Sequence, residues 1–181
     1  MPMPAAGTTA KSDERRRALV AAAIDCFAQK GFYGTTTHEI AEWVGISQPY
    51  LYRLYPNKEA LFAAAVDHVS VIMTESLVGH SPTSSGSDAA MDAVRGAYAA
   101  LVENRTVLRF LMHANCAVGE PLVEDAVRRC YAKQVETVRQ LLGGDDDAVR
   151  RWFGAGMLDN VVAVLGLADL DEPWAHVLSG A

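Results

Sequence analysis

The stretch THEIAEWVGISQPYLYRLY, residues 37–55, has the pattern of two short helices joined by a tight turn. Apolar residues recur at positions that a helix face would bury, and Ala41 is small where the second helix must come close. Gly45 stands where the chain reverses direction. The apolar residues are Ile40, Val44, Ile46 and Leu51. This spacing predicts a helix-turn-helix, a motif that places its second helix in the major groove of DNA.

Polar residues at the two helix starts support the same prediction. Thr36 followed three residues later by Glu39 forms a capping box. The cap of the second helix is either Ser47 or Gln48, since a residue before proline disfavours the helical region. Pro49 fits the first turn, where a backbone N–H has no partner inside the helix.

The flanking segments extend the pattern on both sides. Residues 14–30 form an amphipathic helix that Gly31 ends, and Asn57 can cap a long helix over residues 58–78. With these flanks the chain resembles the tetracycline-repressor (TetR) family of bacterial transcription regulators. The resemblance covers roughly residues 15–62. It is carried by Gly31-Phe32, Thr35 to Thr37, Ile40-Ala41, Val44 to Ser47, Leu51-Tyr52, Tyr55 and Lys58 to Phe62.

The resemblance implies an all-α fold. We expect an N-terminal three-helix helix-turn-helix DNA-binding domain, followed by a helical ligand-binding and dimerisation domain. The expected boundaries are a flexible N-terminal arm at 1–13, the DNA-binding domain at 14–62, and the effector-binding and dimerisation domain at 63–181.

The DNA contacts are predicted from the second helix and its neighbours. Gln48 and Tyr50 are the expected base readers, because glutamine pairs bidentately with adenine and an aromatic edge contacts the thymine methyl. Pro49 adds an apolar contact. Phosphate contacts are expected from Thr36, Thr37, Tyr52, Arg53 and Lys58. Packing beneath the motif is the alternative for Tyr52. Leu54 stands where many family members carry His or Tyr, and a leucine cannot donate to phosphate.

The charge is distributed unevenly along the chain, whose net charge is −6. Residues 1–62 hold seven Lys and Arg against six Asp and Glu, a net charge of +1, whereas residues 63–181 have a net charge of −7. The positive residues of the first segment cluster at Lys11 and Arg15 to Arg17, and again at Arg53 and Lys58. Such clusters suit local phosphate contact.

The rest of the chain reads as a succession of helices. A loop is expected at Gly79 to Ser87, and further helices over about 105–117, from Pro121 to Leu142, and from the acidic run at 145–147. The last two long helices carry apolar faces with Val138 and Trp152, which indicates a homodimer by a four-helix bundle, as the resemblance implies. Gly154 and Gly156 permit either close helix approach between protomers or internal packing.

The resemblance also implies an effector pocket among the middle helices, suited to a mostly apolar small molecule. Plain core packing is the alternative for each residue. The candidate lining residues are Met73, Leu77, Tyr98, Phe110, His113 and Tyr131. The helix over residues 58–78 runs from the motif to this pocket and is the expected coupling element.

Other function classes find little support. No run reaches the roughly 18 apolar residues of a membrane span, and we expect a cytoplasmic protein without membrane association. The five histidines and three cysteines show no zinc-ligand spacing, and no nucleophile elbow or phosphate-binding loop occurs, so we expect no metal, cofactor or catalytic site. The resemblance implies a homodimeric repressor that a small molecule releases from a near-palindromic operator. The alternatives are a similar regulator that answers to a protein partner and, more distantly, a small helical enzyme.

Overall fold

The computed structural model describes residues 6–79, 87–102 and 104–180, which are helical over most of their length and include no strand. The predicted all-α fold is confirmed. In chain order the helices are α1 (Ala6–Gly34), α2 (Thr37–Val44), α3 (Gln48–Leu54), α4 (Lys58–Gly79), α5 (Ser87–Val102), α6 (Arg105–Cys116), α7 (Pro121–Leu141), α8 (Asp146–Leu165) and α9 (Pro173–Ser179), with a 3₁₀ turn at Leu167–Asp169 before α9. Most of the loop predicted between Gly79 and Ser87 lies outside the described residues.

The chain divides into two compact units. The first contains the residues up to His68 together with Phe110–Val127, and the second contains Val69–Arg109 and the residues from Arg128 onward. This division differs from the domain boundary expected after residue 62. Phe110 explains part of the difference, because its ring packs 5.0 Å from that of Phe62 inside the first unit.

An aromatic cluster forms the core of the first unit. Phe27, Phe32 and Phe110 surround Phe62, with ring centroids 4.7 to 5.3 Å from it. Burying four phenylalanines brings α1, α4 and α6 together, since each ring removes a large apolar area from water. Leu19, Ile40, Leu51 and Leu61 are also buried in this unit. This core fixes the position of α2 and α3.

Helix α1 begins earlier than its predicted range of 14–30. It begins at Ala6, so residues 6–13, which we expected in a flexible arm, form its first turns. Helical backbone from Ala6 is compatible with the sequence, since residues 6–13 contain no proline. At the other end Gly31 has a φ of 70°, which interrupts the helix where the sequence predicts its end. A side chain there would also meet His113, whose Nδ1 lies 2.9 Å from the Cβ position.

Aromatic contacts also organise the second unit. The Tyr98 ring lies 5.3 Å from Trp152, Trp152 lies 4.9 Å from Phe153, and Phe153 lies 6.2 Å from Tyr131. The Tyr98 hydroxyl also bonds the amide oxygen of Asn160. Burial raises the pKa of Tyr98 to about 12, while the bond to Asn160 opposes that rise. Helices α5, α7 and α8 are thus joined by one row of rings.

Helix α8 presents two apolar faces on opposite sides. One is buried within the unit and contains Val149, Trp152, Gly156 and Asn160. The other is partly or fully exposed and contains Gly154, Leu158, Val161 and Leu165. Both sets follow three- and four-residue steps, and residues two positions apart point to nearly opposite sides of a helix.

The exposed face corrects the residues that we assigned to dimerisation. Trp152 is 3% exposed and Val138 is fully buried, so both belong to the core of their own protomer. Gly156 also serves internal packing, because a Cβ there would lie 3.1 Å from the Tyr98 ring. Gly154 has no atom within 4 Å of its Cβ position and is exposed. Of the two glycines, only Gly154 therefore remains available to an approaching helix.

Helix α4 has a length and an apolar composition that would also permit a membrane span, although it contains no uninterrupted run of about 18 apolar residues. Core helices of soluble proteins pass the same test, and α4 buries Leu61, Phe62, Val66 and Val69 inside the protein. Asn57 caps its start as predicted, accepting a hydrogen bond from the Ala60 N–H at 2.7 Å.

Candidate nucleic-acid interface

The start of α2 is fixed by the predicted capping box. The Thr36 hydroxyl accepts a hydrogen bond from the Glu39 N–H at 3.2 Å, and the Glu39 carboxylate accepts from the Thr36 N–H at 2.9 Å. Lys30 of α1 donates to the same carboxylate. The bond from Lys30, followed by the bonds from Thr36, lowers the pKa of Glu39 to about 2. Helix α2 is thereby held to α1 at the end where Thr36 and Thr37 lie.

The turn between α2 and α3 has the geometry that the sequence predicts. Gly45 adopts the left-handed conformation, with a φ of 71°, and its N–H bonds carbonyls at the end of α2. Ser47 rather than Gln48 is the cap of α3, since its hydroxyl accepts from the Tyr50 N–H at 3.3 Å. Pro49 occupies the first turn without loss of a helical hydrogen bond.

Three of the predicted DNA contacts meet at Thr37. The Gln48 amide nitrogen lies 2.8 Å from the Thr37 hydroxyl, and the Tyr52 hydroxyl lies 2.9 Å from it. Thr37 is 5% exposed, whereas Tyr52 is 44% exposed. Tyr52 therefore bonds to the motif through its hydroxyl and still presents much of its surface to solvent, and its phosphate contact stays a prediction.

Tyr50 lies between two arginines. Arg15 of α1 donates a hydrogen bond to the Tyr50 hydroxyl at 3.2 Å, and its guanidinium carbon lies 5.7 Å from the ring centre. Arg53 approaches the same ring at 5.9 Å. An apolar groove of about 360 Å³ lies beside them, lined by Glu14, Arg15, Ala18, Val44, Ile46, Tyr50 and Leu54. Tyr50 is thus held by cations that can also approach phosphate.

Lys58 is engaged differently from the sequence prediction. Its ammonium group donates to the carbonyls of Phe32 at 2.8 Å and Thr35 at 3.2 Å, and it lies 4.3 Å from the centre of the Phe32 ring. These contacts tie the start of α4 to the connection between α1 and α2. The family pattern did not indicate these contacts, because the presence of a lysine at position 58 is equally compatible with binding phosphate and with binding backbone carbonyls. We therefore propose a structural role for Lys58 in place of the predicted phosphate contact.

The remaining predicted DNA contacts are exposed to solvent. Thr36, Pro49 and Arg53 are exposed at the starts of α2 and α3 and along α3. Arg16 lies over the ring of Tyr55 at 5.6 Å. The side chain of Lys11 lies outside the described residues. What sequence reasoning missed is the pairing of Arg15 with Tyr50, for which the only signal was the basic cluster at the start of α1.

The residues predicted to line an effector pocket are divided between the two units. Phe110 and His113 belong to the first unit, where Phe110 packs on Phe62 and His113 lies against Gly31. Met73, Leu77, Tyr98 and Tyr131 belong to the second unit. The core interpretation is therefore correct for Phe110. His113 is a packing residue in the first unit because Gly31 leaves room for its ring.

A second buried polar group lies in the second unit. The Gln134 amide nitrogen donates to the Ser70 carbonyl and to the Thr74 hydroxyl, both at 3.1 Å. Gln134 is 2% exposed, and its Oε1 has no hydrogen-bond partner among the described residues. A buried acceptor without a partner is costly, so this position suits a donor from a water or a ligand.

Residues 19–65 match the model of bacterial regulatory proteins of the tetR family. The chain is 40% identical over 55 residues to the HTH-type transcriptional regulator RutR of Escherichia coli, a match that covers 30% of this chain. The same match spans 26% of RutR, about a quarter of its length.

Solved structures resemble the chain over nearly its whole length. A transcriptional regulator from Pseudomonas aeruginosa PAO1 superposes with a TM-score of 0.69 at 22% identity, covering 93% of this chain and 88% of that one. The regulator FadR of Bacillus subtilis, solved in complex with stearoyl-CoA, has a TM-score of 0.66 at 11% identity and covers 91% and 94%. At these identities the likeness concerns the fold.

Proposed function

We propose that this chain, whose residues 19–65 match the tetR family of bacterial regulatory proteins, regulates transcription by binding a near-palindromic operator as a homodimer. The observation that carries this proposal is the arrangement around α3. Its two candidate base readers are held by residues of other helices, Gln48 by Thr37 and Tyr50 by Arg15. Fixed side chains at the start of a recognition helix are what direct readout requires.

The positive charges around α3 favour DNA over other binding partners. Arg15, Arg16 and Arg17 are exposed near the start of α1, and Arg53 is exposed on α3. The protein as a whole is acidic, with a net charge of −6, so the cations near α3 are a local feature. Phosphates are the partner for which such a cluster is suited. In this proposal Thr36, Thr37, Tyr52 and Arg53 set the register, and Gln48, Pro49 and Tyr50 contact bases.

Binding to a library of random DNA sequences tests this function. We expect the protein to enrich two inverted half-sites, because a twofold dimer presents two identical recognition helices. Gln48→Ala and Tyr50→Ala should weaken binding to the enriched site by about 1–3 kcal/mol each and leave weak binding to unrelated DNA intact. Enrichment of no sequence at all would contradict the proposed function.

The exposed face of α8 is the proposed dimer interface. It combines Gly154, Leu158 and Leu165 with the exposed Tyr131 and Val135 of α7. Covering these apolar residues with a second copy would remove their surface from water, which is energetically favourable. The occupant is a second copy of this chain, since two copies supply the two recognition helices that a palindromic operator requires.

Sedimentation of Leu158→Asp tests the interface directly. We expect a folded monomer with strongly reduced operator affinity, because the new carboxylate would be buried and unpaired in the dimer. Val71→Asp, which places the same charge at an exposed apolar residue of α4, is the control and should remain dimeric. Val138→Asp should instead unfold the protein, since Val138 is buried within one protomer. A wild type that sediments as a monomer at micromolar concentration would refute the dimer.

We further propose that a mostly apolar small molecule in the second unit controls DNA binding, and that it releases a repressor. Met73, Leu77, Tyr98 and Tyr131 remain the candidate residues, and the unpartnered Gln134 Oε1 offers an acceptor in the same unit. The stearoyl-CoA complex of FadR supports an effector of this kind for a protein with this fold. The alternative is a regulator that responds to a protein partner.

Stearoyl-CoA is a practical first probe, with coenzyme A as the control. Binding to the folded state raises the unfolding temperature, and a ligand that prefers the non-binding conformation lowers operator affinity. Both effects with stearoyl-CoA and neither with coenzyme A would support an acyl-chain effector. If stearoyl-CoA produces neither effect, long acyl chains are excluded as effectors, and regulation by a protein partner becomes the favoured alternative.

A further inference from the structure

Thr37 joins two residues of the recognition helix that have different tasks in the proposed function, on which this inference rests. Gln48 and Tyr52 are four residues apart, so they lie on one face of α3. Both reach the same atom, the Thr37 hydroxyl oxygen, at 2.8 and 2.9 Å. Thr37 itself begins α2 and is 5% exposed. A base-reading candidate and a phosphate-contacting candidate are thus bonded through one buried hydroxyl.

Two arrangements of the protons in this group of three side chains differ in what they leave for the DNA. In the first, the Gln48 amide donates to Thr37, Thr37 donates to Tyr52, and the Tyr52 proton is left for an outside acceptor. In the second, Tyr52 donates to Thr37, Thr37 donates to the Gln48 amide oxygen, and Tyr52 has no proton to give. Each hydroxyl has one proton, so once Tyr52 gives its proton to an outside acceptor, Thr37 must donate to Tyr52 and can only accept from the Gln48 amide nitrogen.

A DNA phosphate selects the first direction, because its oxygens accept hydrogen bonds and cannot donate them. Tyr52 is 44% exposed, so its hydroxyl proton can be given to a group outside the protein. Once Tyr52 donates to phosphate, its oxygen accepts from Thr37, and Thr37 accepts from the Gln48 amide nitrogen. The Gln48 Oε1 is then the atom that remains to accept a hydrogen bond from a base.

We propose that Thr37 is a positioning residue for operator recognition, which converts the Tyr52–phosphate contact into one fixed orientation of the Gln48 amide. With Oε1 facing the major groove, Gln48 selects bases that present an amino group there, namely adenine through N6 and cytosine through N4. The second hydrogen of the Gln48 amide nitrogen favours adenine, since it can reach N7. Phosphate contact and base choice are therefore coupled through Thr37.

The test compares base preferences at each position of the operator that the wild type selects from random DNA. Gln48→Ala identifies the position that Gln48 reads, and adenine or cytosine is expected there. Thr37→Val removes the hydroxyl at nearly constant volume, and Tyr52→Phe removes the proton that goes to phosphate. Each should reduce the preference at that one position about tenfold, the size of one good base contact. Thr37→Ser restores the hydroxyl and should keep the preference.

Thr137→Val is the matched control, because Thr137 is also buried and its hydroxyl bonds only a carbonyl of its own helix, that of Lys133. It should leave every base preference unchanged. Thermal unfolding of each variant establishes that it is folded, and Tyr52→Phe keeps the test decisive if Thr37→Val does not fold.

The outcomes separate the two proposals. If the wild type selects no sequence, the proposed function fails and this inference falls with it. If the wild type selects an operator and Thr37→Val and Tyr52→Phe keep its preference at the Gln48 position, the function stands and the positioning role of Thr37 is wrong. Selection of guanine or thymine at the Gln48 position also overturns the inference.

Discussion

Replacing Lys58 by methionine separates a structural lysine from a phosphate-binding one. The Lys58 ammonium group bonds two backbone carbonyls, those of Phe32 and Thr35, and lies 4.3 Å from the Phe32 ring centre. Methionine keeps most of the aliphatic stem but removes both bonds and the charge. The carbonyls would then depend on water, at the point where α1 connects to α2.

The magnitude follows from these contacts. A hydrogen bond from a charged donor contributes about 1.5–3 kcal/mol, and a cation over an aromatic ring adds about 0.5–1 kcal/mol at a site open to water. Lys58 is half-buried, so water can partly replace the lost donors. We therefore expect Lys58→Met to lower the free energy of unfolding by about 2–4 kcal/mol, as urea denaturation followed by circular dichroism would measure.

The same variant should leave the salt dependence of operator binding unchanged. Each phosphate that a protein neutralises contributes about 0.9 to the slope of log K against log salt concentration. Arg53→Met, which removes an exposed cation of α3, is the comparison and should flatten the slope by about 0.9 per protomer. A normal unfolding free energy together with a flattened slope for Lys58→Met would refute the structural role and restore the phosphate contact.

Three further variants test other parts of the structure. Gly156→Ala should lower the free energy of unfolding, measured by urea denaturation, by about 1–3 kcal/mol, because its Cβ would lie 3.1 Å from the Tyr98 ring. Gly154→Ala should instead raise the free energy of unfolding of the protomer by up to about 1 kcal/mol through helix propensity. It should also weaken the dimer, which sedimentation measures. Glu39→Gln should lower the urea midpoint of unfolding at pH 6, because a folded-state pKa of about 2 means that the ionised carboxylate stabilises the fold. The difference in midpoint between this variant and the wild type should shrink as the pH falls from about 4.5 to about 2, where the carboxylate becomes protonated. A difference that stays constant over this pH range would contradict the stabilising role of the carboxylate. Arg15→Met should weaken sequence preference as well as overall affinity, because Arg15 bonds the Tyr50 hydroxyl, and a uniform loss across all sequences in the same binding assay would leave Arg15 as a phosphate contact alone.

Local chemistry made the helix-turn-helix predictable from the sequence. Thr36, Ser47 and Asn57 each accept the backbone N–H three residues ahead, as their positions before apolar helical patterns predicted. Asp145 caps α8 in the same way, with its carboxylate 2.9 Å from the Ala148 N–H. These bonds involve residues close together in the chain, so the sequence contains all the information that they require.

The partners of long side chains were not predictable in this way. Helical periodicity placed Trp152 on an apolar face, but periodicity gives only the direction of a side chain around the helix axis. Whether a second protomer or the same protomer covers that face depends on the tertiary fold, and the row of rings from Tyr98 to Tyr131 shows that the same protomer covers it. Lys58 is a similar case, since its two acceptors lie 26 and 23 residues earlier in the chain.

In the proposed homodimer, α3 of each protomer reads one half of a DNA sequence. The most direct test of this proposal is selection of bound fragments from random DNA by the full chain, followed by footprinting of the enriched sequence. We expect two inverted half-sites with centres about 34–36 Å apart, one turn of DNA. Enrichment of one unpaired half-site, or of no sequence above the background of unrelated DNA, would contradict the proposal.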